Sequence, residues 1–173
     1  MLESLRHKKS LKILFICSGN IMRSPIAEML FEKLLTAKYG ESWRGKIEVA
    51  SGGVRFKNLA IHPLTRDLLL SEGISEERLA QFKPRHVAHY PDLFAGADVI
   101  IAMTEGQKKR LLKREPGYSS KILLLNSFLS SKRSIPDPWF SLRRKKTLAN
   151  TAETIKDGLE GLLNELVELG ILV

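Results

Sequence analysis

A short stretch near the start of the chain combines features that few folds accommodate together. Residues 11–17 form a nearly all-apolar run that ends in Cys17, the only cysteine in the chain. A loop of small residues follows, and Ser24-Pro25 then has the pattern of a helix start. Such an apolar run is typical of a strand buried on both faces, as in a parallel sheet covered by helices. The stretch therefore predicts a strand–loop–helix unit with a thiol at the end of the strand.

The loop gathers chemically useful groups around one point. A loop that enters a helix aims backbone N–H groups and the helix N-terminus at a common position. These donors, together with the charge of Arg23, favour the thiolate form of Cys17 and would also hold phosphoryl oxygens. A buried structural cysteine is the alternative interpretation. The spacing of Cys17, Arg23 and Ser24 favours a cysteine nucleophile that attacks a phosphate ester.

A second element lies far downstream, at residues 134–140 (Ser-Ile-Pro-Asp-Pro-Trp-Phe). Asp137 stands between two prolines, which restrict the backbone and hold this residue extended. A rigidly presented carboxyl group suits a general acid, whose distance to the leaving oxygen must be controlled. Trp139 and Phe140 offer flat apolar faces to an aromatic ring. Alone the segment would be interpreted as a surface turn, but beside the Cys17 loop it predicts hydrolysis of an aryl phosphate.

These motifs resemble the low-molecular-weight protein tyrosine phosphatase family. The resemblance extends from Lys12 to about Leu169 and includes Ser51-Gly52-Gly53 and the run Ala-Asp-Val-Ile-Ile-Ala-Met-Thr at 97–104. It implies a phosphatase I-like α/β domain with a four-stranded parallel sheet of order 2-1-3-4 and helices on both faces. It also implies a protein-tyrosine phosphatase that hydrolyses phosphotyrosine through a cysteinyl phosphate.

The resemblance assigns catalytic roles to three residues: Cys17 as nucleophile, Arg23 as a bidentate grip on the phosphoryl oxygens, and Asp137 as general acid and then base. Ser24 is expected to donate its hydroxyl to the sulfur. The loop amides and Arg23 supply the charge stabilisation, so neither a metal nor another cofactor is expected. The substrate-binding positions are the other loop residues and the downstream aromatic pair: Ser18, Gly19, Asn20, Ile21, Met22, Ser24, Trp139 and Phe140.

Two positions depart from the family pattern. In the family, the residue at Asn20 is tied to a serine matching Ser51 and to a histidine, and Phe82 stands where that histidine is expected. Which group completes the support of the loop is therefore open; His86 is a candidate, although a surface or core histidine is favoured. Met22 stands where many eukaryotic members carry a second cysteine. Oxidation of the nucleophile is thus expected to give sulfenic and higher acids without an internal disulfide.

Three other functions compete with this interpretation. Phosphoarginine phosphatases share the fold and carry threonine where this chain has Ile21, whose apolar wall favours an aryl phosphate. Arsenate reductases share the architecture but use additional cysteines, which this chain does not have. A non-catalytic phosphate- or anion-binding module needs neither the thiol of Cys17 nor the acid of Asp137, so the presence of both argues against it.

Composition agrees with one domain. The chain has 173 residues with 43% hydrophobic content, enough for a buried core. We expect a domain over residues 11–173 and a basic extension over residues 1–10 that frays. The pattern predicts strands over 11–17, 47–51, 99–103 and 122–125. It predicts helices over 24–39, 63–72, 91–96, 105–114 and 147–169.

The charge and the cysteine count indicate partners and location. The formal net charge is +9, which favours anionic phosphopeptides, while nucleic-acid binding is unlikely because no nucleic-acid module accompanies the basic clusters. A single cysteine suits a reducing cytoplasm. The first apolar run is too short for a signal peptide, and no stretch is long enough to span a membrane. We expect a cytoplasmic monomer, and no chemistry is assigned to the four histidines: His7, His62, His86 and His89.

Overall fold

Four apolar segments form a parallel sheet at the centre of the protein. The computed structural model describes residues 2–6, 8–131 and 133–172. Its strands are β1 (Leu11–Cys17), β2 (Ile47–Gly53), β3 (Val99–Ala102) and β4 (Ile122–Leu124). All pairs are parallel and the order is β2-β1-β3-β4. The predicted fold class and strand order are confirmed, and β1, the strand that ends in the thiol, is central.

Helices cover both faces of the sheet. They are α1 (Arg23–Tyr39), α2 (Pro63–Ser71), α3 (Glu76–Gln81), α4 (Pro91–Gly96), α5 (Glu105–Arg114) and α6 (Arg144–Glu168). Alternate residues of β1 belong to two separate apolar cores. Phe15 faces the core with α1 and α6, where its ring meets Phe31 edge to face at 5.8 Å. Ile16 faces the core that contains Phe94 of α4 and Leu111 of α5.

Most predicted boundaries lie close to the observed ones, and the differences have local causes. The sheet continues two residues beyond the predicted end of β2 because Gly52 and Gly53 fit where a side chain does not. A Cβ atom on Gly52 would lie 2.7 Å from the ring of Phe94, and one on Gly53 would lie 3.1 Å from the carbonyl carbon of Gly19. Helix α3 was not predicted, because its six residues carry little periodicity and, unlike α4, it does not begin at a proline and end at a glycine.

The residues before β1 pack against the domain in the part that the structure describes. The sequence predicts fraying here, whereas Leu2 and Leu5 are buried and Glu3–Leu5 form a short 3-10 helix. The backbone N–H of Leu2 donates to Glu165 of α6 at 2.9 Å, and Lys8 pairs with Asp98. The division into an extension of residues 1–10 and a domain of residues 11–173 stays a prediction. His7 and Lys132 lie outside the described residues.

Within the described ranges, no helix combines the length and the apolar character that crossing a membrane requires.

Candidate active site

The thiol of Cys17 lies buried at the carboxyl end of β1, where the central strand leaves the sheet. The ends of parallel strands at this edge of an α/β sheet are where ligands bind. Two donors point at the sulfur: the hydroxyl of Ser24 at 3.0 Å and the backbone N–H of Asn20 at 3.3 Å. Helix α1 begins at Arg23 without a side-chain cap, so its first N–H groups also face this end of the sheet. The loop therefore surrounds the sulfur with groups that stabilise negative charge.

A chain of hydrogen bonds fixes the loop from below. The amide Nδ2 of Asn20 donates to Ser24 at 3.0 Å and to Ser51 at 2.7 Å, and Ser51 in turn donates to the carboxylate of Glu28. Because Asn20 donates to the oxygen of Ser24, the hydroxyl proton of Ser24 is free to point at the sulfur of Cys17. Asn20 has a left-handed backbone with φ of 56°, which asparagine tolerates better than most residues. The network that orients the Ser24 hydroxyl toward the thiol therefore ends at a buried carboxylate.

Two arginines neutralise that carboxylate. Glu28 is buried in α1 and receives hydrogen bonds from Arg78 at 2.6 Å and from Arg85 at 3.1 and 3.2 Å. Arg85 also donates its backbone N–H to Oδ1 of Asn20 at 2.8 Å. It therefore contacts both Asn20 and Glu28, the two ends of this hydrogen-bond network. Burial works against the charge of Arg78, but hydrogen bonds and the charges of Glu32 and Glu28 raise its pKa overall. Arg78 and Arg85 therefore complete the support of the loop, a role for which the sequence alone did not identify a residue.

Neither Phe82 nor His86 takes part in this support. Phe82 is a buried core residue. The Nδ1 atom of His86 accepts the backbone N–H of Ala88 at 3.1 Å, and its ring lies near that of His89. Burial, and then the positive charges of Arg114, His89 and Lys57, lower the pKa of His86. His86 is therefore a neutral histidine outside the loop network.

The outer side of the loop is held by hydrogen bonds from two segments, residues 55–58 and helix α5. The carbonyl of Ser18 accepts the backbone N–H groups of Arg55 and Phe56, and its hydroxyl accepts Nε2 of Gln107 at 3.3 Å. The carbonyl of Gly19 accepts Nδ2 of Asn58 at 2.7 Å. A Cβ atom on Gly19 would lie 2.8 Å from that same nitrogen, so a larger residue would displace the side chain of Asn58 from this carbonyl.

The downstream acid reaches the loop directly. Asp137 Oδ2 lies 2.5 Å from Nη2 of Arg23, although the two residues are 114 positions apart. Its other oxygen accepts the backbone N–H of Trp139 at 3.1 Å, which orients the carboxyl group. The guanidinium of Arg23 is buried, and its Nη1 has no hydrogen-bond partner among the described residues. A buried donor without a partner is costly, so the site is suited to an anionic guest that accepts from it.

These groups line one cavity of about 340 Å³. Its floor carries Cys17 and Arg23, and its walls are mostly apolar or aromatic, with Ile21, Trp139 and Phe140 among them. His62 stands behind one wall, with its ring edge to face with Trp139 at 6.1 Å. Burial, and then the charge of Arg144, lower the pKa of His62, so this ring packs as the neutral imidazole. The cavity suits a guest with an aromatic body and a doubly anionic end.

The structure brings together the three residues for which the sequence predicts catalysis, and every predicted binding residue lies in or beside the same cavity. Sequence reasoning missed the supporting groups Glu28, Arg78, Arg85, Asn58 and Gln107. One signal was available: Glu28 follows Ser24 by four residues and therefore shares its face of α1. The others come from segments whose proximity only the fold establishes.

Comparison with known proteins agrees with this geometry. A family described as low molecular weight phosphotyrosine protein phosphatase matches residues 12–169. A curated relative, the low molecular weight protein-tyrosine-phosphatase YfkJ of Bacillus subtilis, is 32% identical over 88% of this chain and 94% of its own length. A protein-arginine-phosphatase of Geobacillus stearothermophilus is 29% identical over 91% and 94%.

Solved structures show the same relation. The crystal structure of YfkJ from Bacillus subtilis superposes with a TM-score of 0.79 at 28% identity, covering 94% of this chain and 98% of that one. A protein tyrosine phosphatase from Entamoeba histolytica, with Hepes in its active site, gives 0.77 at 27% identity over 94% and 100%. The chain belongs to the low molecular weight phosphotyrosine protein phosphatase family.

Proposed function

We propose that the protein hydrolyses phosphotyrosine in phosphoproteins, with Cys17 as nucleophile, Arg23 as phosphoryl ligand and Asp137 as general acid. Membership of the family supports a hydrolase that acts on phosphoproteins. The arrangement of the sulfur, the guanidinium and the carboxyl around one cavity supports the three roles. The apolar and aromatic walls favour an aryl phosphate over an alkyl one.

In the first step the Cys17 thiolate attacks phosphorus in line with the ester oxygen. The sulfur–phosphorus bond forms as the phosphorus–oxygen bond to the phenol breaks. Arg23 and the loop N–H groups hold the three equatorial oxygens, where charge is spread in the transition state. Asp137 gives its proton to the departing phenolate, whose conjugate phenol has a pKa of about 10 and which leaves poorly as an anion.

In the second step water attacks the cysteinyl phosphate. Asp137, now a carboxylate, takes a proton from the water as the new phosphorus–oxygen bond forms, and the sulfur leaves as a thiolate. The hydroxyl of Ser24 and the N–H of Asn20 stabilise that leaving sulfur. Inorganic phosphate then departs, and both Cys17 and Asp137 have returned to their starting states.

The ion pair between Arg23 and Asp137 suggests that substrate exchanges with Asp137 at the guanidinium of Arg23. Without substrate, the carboxylate of Asp137 is one partner of the guanidinium. A phosphoryl dianion competes for the same guanidinium and repels the carboxylate of Asp137. Substrate binding itself therefore releases the carboxyl group of Asp137 from Arg23.

The observation that carries the proposal is the pair of hydrogen bonds to the Cys17 sulfur in a cavity that also holds Arg23 and Asp137. The test is hydrolysis of p-nitrophenyl phosphate and of a phosphotyrosine peptide by the wild type and by Cys17→Ser. We expect the variant to lose at least about 10⁴-fold in kcat, because a serine hydroxyl in this loop has no base to activate it. Retained activity in Cys17→Ser would overturn the assignment, and so would a wild type that binds phosphate but hydrolyses neither substrate.

A second candidate substrate is phosphoarginine, because an arginine phosphatase is among the relatives. The side chain of Ile21 lines the cavity and contributes no polar group that could bind a guanidinium. Phosphotyrosine is therefore the proposed substrate. Measuring kcat/KM for free phosphotyrosine and free phosphoarginine decides between them, and a higher value for phosphoarginine would reverse the choice.

The remaining expectations stay proposals: catalysis without a metal, a monomeric state and a cytoplasmic location. The chemistry above uses only side chains and loop amides, which supports the first. Activity after treatment with EDTA checks whether catalysis needs a metal. The elution volume on size exclusion checks the monomeric state.

A further inference from the structure

Exposed apolar side chains are concentrated around the mouth of the cavity. The described residues include seven large hydrophobic side chains that are exposed, and five of them belong to the two segments that flank the mouth. Leu59 is 98% exposed and follows the cavity residue Asn58, and Leu142 is 105% exposed and lies two residues after Phe140. We call these five residues the apolar collar: Phe56, Leu59, Trp139, Phe140 and Leu142. A cluster of this kind on a protein surface marks an interaction site.

Unpaired positive charges accompany the collar. Arg55 and Lys57 flank Phe56, and Arg143 and Arg144 follow Leu142. None of these four cations forms an ion pair with an acid in the described ranges, although Arg44, Arg66 and Arg133 elsewhere on the surface do. Arg55 and Arg144 instead lie over the rings of Phe56 and Trp139, at 4.7 and 5.3 Å from the ring centroids. The mouth thus presents apolar surface with four cations that pair with no acid among the described residues.

We propose that the collar binds the residues that flank phosphotyrosine in an extended substrate segment, and that it selects segments with large apolar residues close to the phosphotyrosine and acidic residues beyond them. The proposal rests on the proposed function and specifies the substrate class. It assigns a role to Leu59 and Leu142, which neither line the cavity nor contribute to the buried core.

The geometry of the reaction leads to this contact. The phosphoryl group must reach Cys17 at the floor of the cavity, so the tyrosine ring fills the space between the aromatic walls and the substrate backbone crosses the mouth. An extended chain advances about 3.3 Å per residue, so the residues within about three positions of the phosphotyrosine pass over the collar. A lipid surface is the other apolar and anionic partner, but both segments of the collar border a cavity with Cys17 among its lining residues, and a peptide whose phosphotyrosine enters that cavity must pass over its mouth.

The test compares two phosphotyrosine nonapeptides with the wild type and with the double variant Leu59→Ser/Leu142→Ser. One peptide carries leucine at positions −2 and +2 and glutamate at −4 and +4, and the other carries glycine and glutamine at these positions. We expect the wild type to give about tenfold higher kcat/KM on the leucine peptide, because each leucine buries part of its surface on the collar. The preference should fall to about twofold in the double variant, while hydrolysis of p-nitrophenyl phosphate stays within about twofold.

A matched control is Val167→Ser, which removes an exposed apolar residue from α6 outside the collar and should leave the peptide preference unchanged. Raising KCl from about 50 to about 500 mM should lower kcat/KM for the acidic peptide more than for the neutral one. Equal kcat/KM for the two peptides in the wild type overturns the docking proposal and leaves the proposed function standing. A wild type that hydrolyses no aryl phosphate overturns the proposed function instead.

A lipid partner would give a different result. Wild-type protein would sediment with vesicles of phosphatidylcholine and phosphatidylglycerol, the double variant would not, and the peptide preference would be absent. That combination also overturns the proposal in favour of a membrane-facing collar. Absence of sedimentation together with the tenfold preference supports the peptide assignment.

Discussion

The floor and the mouth of the active-site cavity are built in opposite ways. At the floor, Asn20 and Ser24 are buried and hydrogen bonded, and their network continues through Ser51 to the buried carboxylate of Glu28. At the mouth, Phe140 is 80% exposed, and within the part of the chain that the structure describes the acid loop is joined to the floor by the ion pair of Asp137 with Arg23. The comparison indicates that the floor is organised before substrate arrives, whereas the mouth is completed by the substrate.

Among the substitutions that compare the floor with the mouth, the largest effect should come from changing the group that joins the two regions. Arg23→Lys keeps the positive charge but loses the planar pair of donors that fits two phosphoryl oxygens. We expect kcat to fall by about 10³-fold. The matched variant is Arg55→Lys at the mouth, for which we expect less than about threefold loss, because that arginine forms no ion pair within the described ranges and its guanidinium lies over the ring of Phe56. Similar losses in the two variants would break the distinction between floor and mouth.

The next effect should depend on the leaving group. Asp137→Ala removes the proton donor, and we expect kcat for phenyl phosphate to fall by about 10²- to 10³-fold. For p-nitrophenyl phosphate, whose leaving group needs less help from an acid, we expect only about a tenfold loss. Stopped-flow or steady-state kinetics on both esters measures the ratio, and Asp92→Ala, an exposed acid on α4, is the control. Equal losses on the two esters would argue against the acid role.

A smaller loss of activity, accompanied by a loss of stability, is expected for Glu28→Gln. The substitution leaves the guanidinium of Arg85 without its carboxylate partner, whereas Arg78 keeps Glu32 at 2.9 Å. Breaking a buried charge pair costs about 3 kcal/mol in the free energy of unfolding. We expect about that decrease in urea denaturation and about a tenfold lower kcat, because Arg85, whose backbone N–H holds Oδ1 of Asn20, loses the partner of its side chain.

The control for this prediction is Glu41→Gln, which breaks an exposed pair with Arg44 three residues away. That change should alter the free energy of unfolding by less than about 0.5 kcal/mol. If both variants lost the same small amount, the buried carboxylate would not support the loop in the way described.

The smallest effect should come from backbone crowding at the floor. Gly53→Ala adds a Cβ atom at 3.1 Å from the carbonyl carbon of Gly19 and 3.3 Å from the nitrogen of Asn20, so the loop must shift by a few tenths of an ångström. We expect about a fivefold loss of kcat/KM, since small displacements of catalytic groups are costly. Gly45→Ala, where nothing lies within 4 Å of the added atom, should change nothing.

The difference between the contiguous Cys17 loop and the groups that distant segments bring to it explains what the sequence could predict. The strand, the loop and the first helix are contiguous, so the positions of Cys17, Arg23 and Ser24 follow from local patterns. Asp137 was predicted from the two prolines beside it and from the resemblance of this motif to the family. Its contact with Arg23 appears only when the chain folds. The support by Arg78 and Arg85 was not predicted. Surface arginines are ordinarily solvated, and nothing in the local sequence indicates that they converge on a buried carboxylate.

The central claim is that the reaction passes through a covalent bond between phosphorus and the sulfur of Cys17. The most direct test is rapid acid quenching of Asp137→Ala during turnover of p-nitrophenyl phosphate, followed by mass spectrometry of the intact protein and of its peptides. Loss of Asp137 slows the attack of water, so the account predicts a single added phosphoryl group, located on the peptide that contains Cys17 and absent from the double variant with Cys17→Ser. Turnover with no phosphorylated enzyme under any quench time, or a phosphoryl group on another residue, would contradict it.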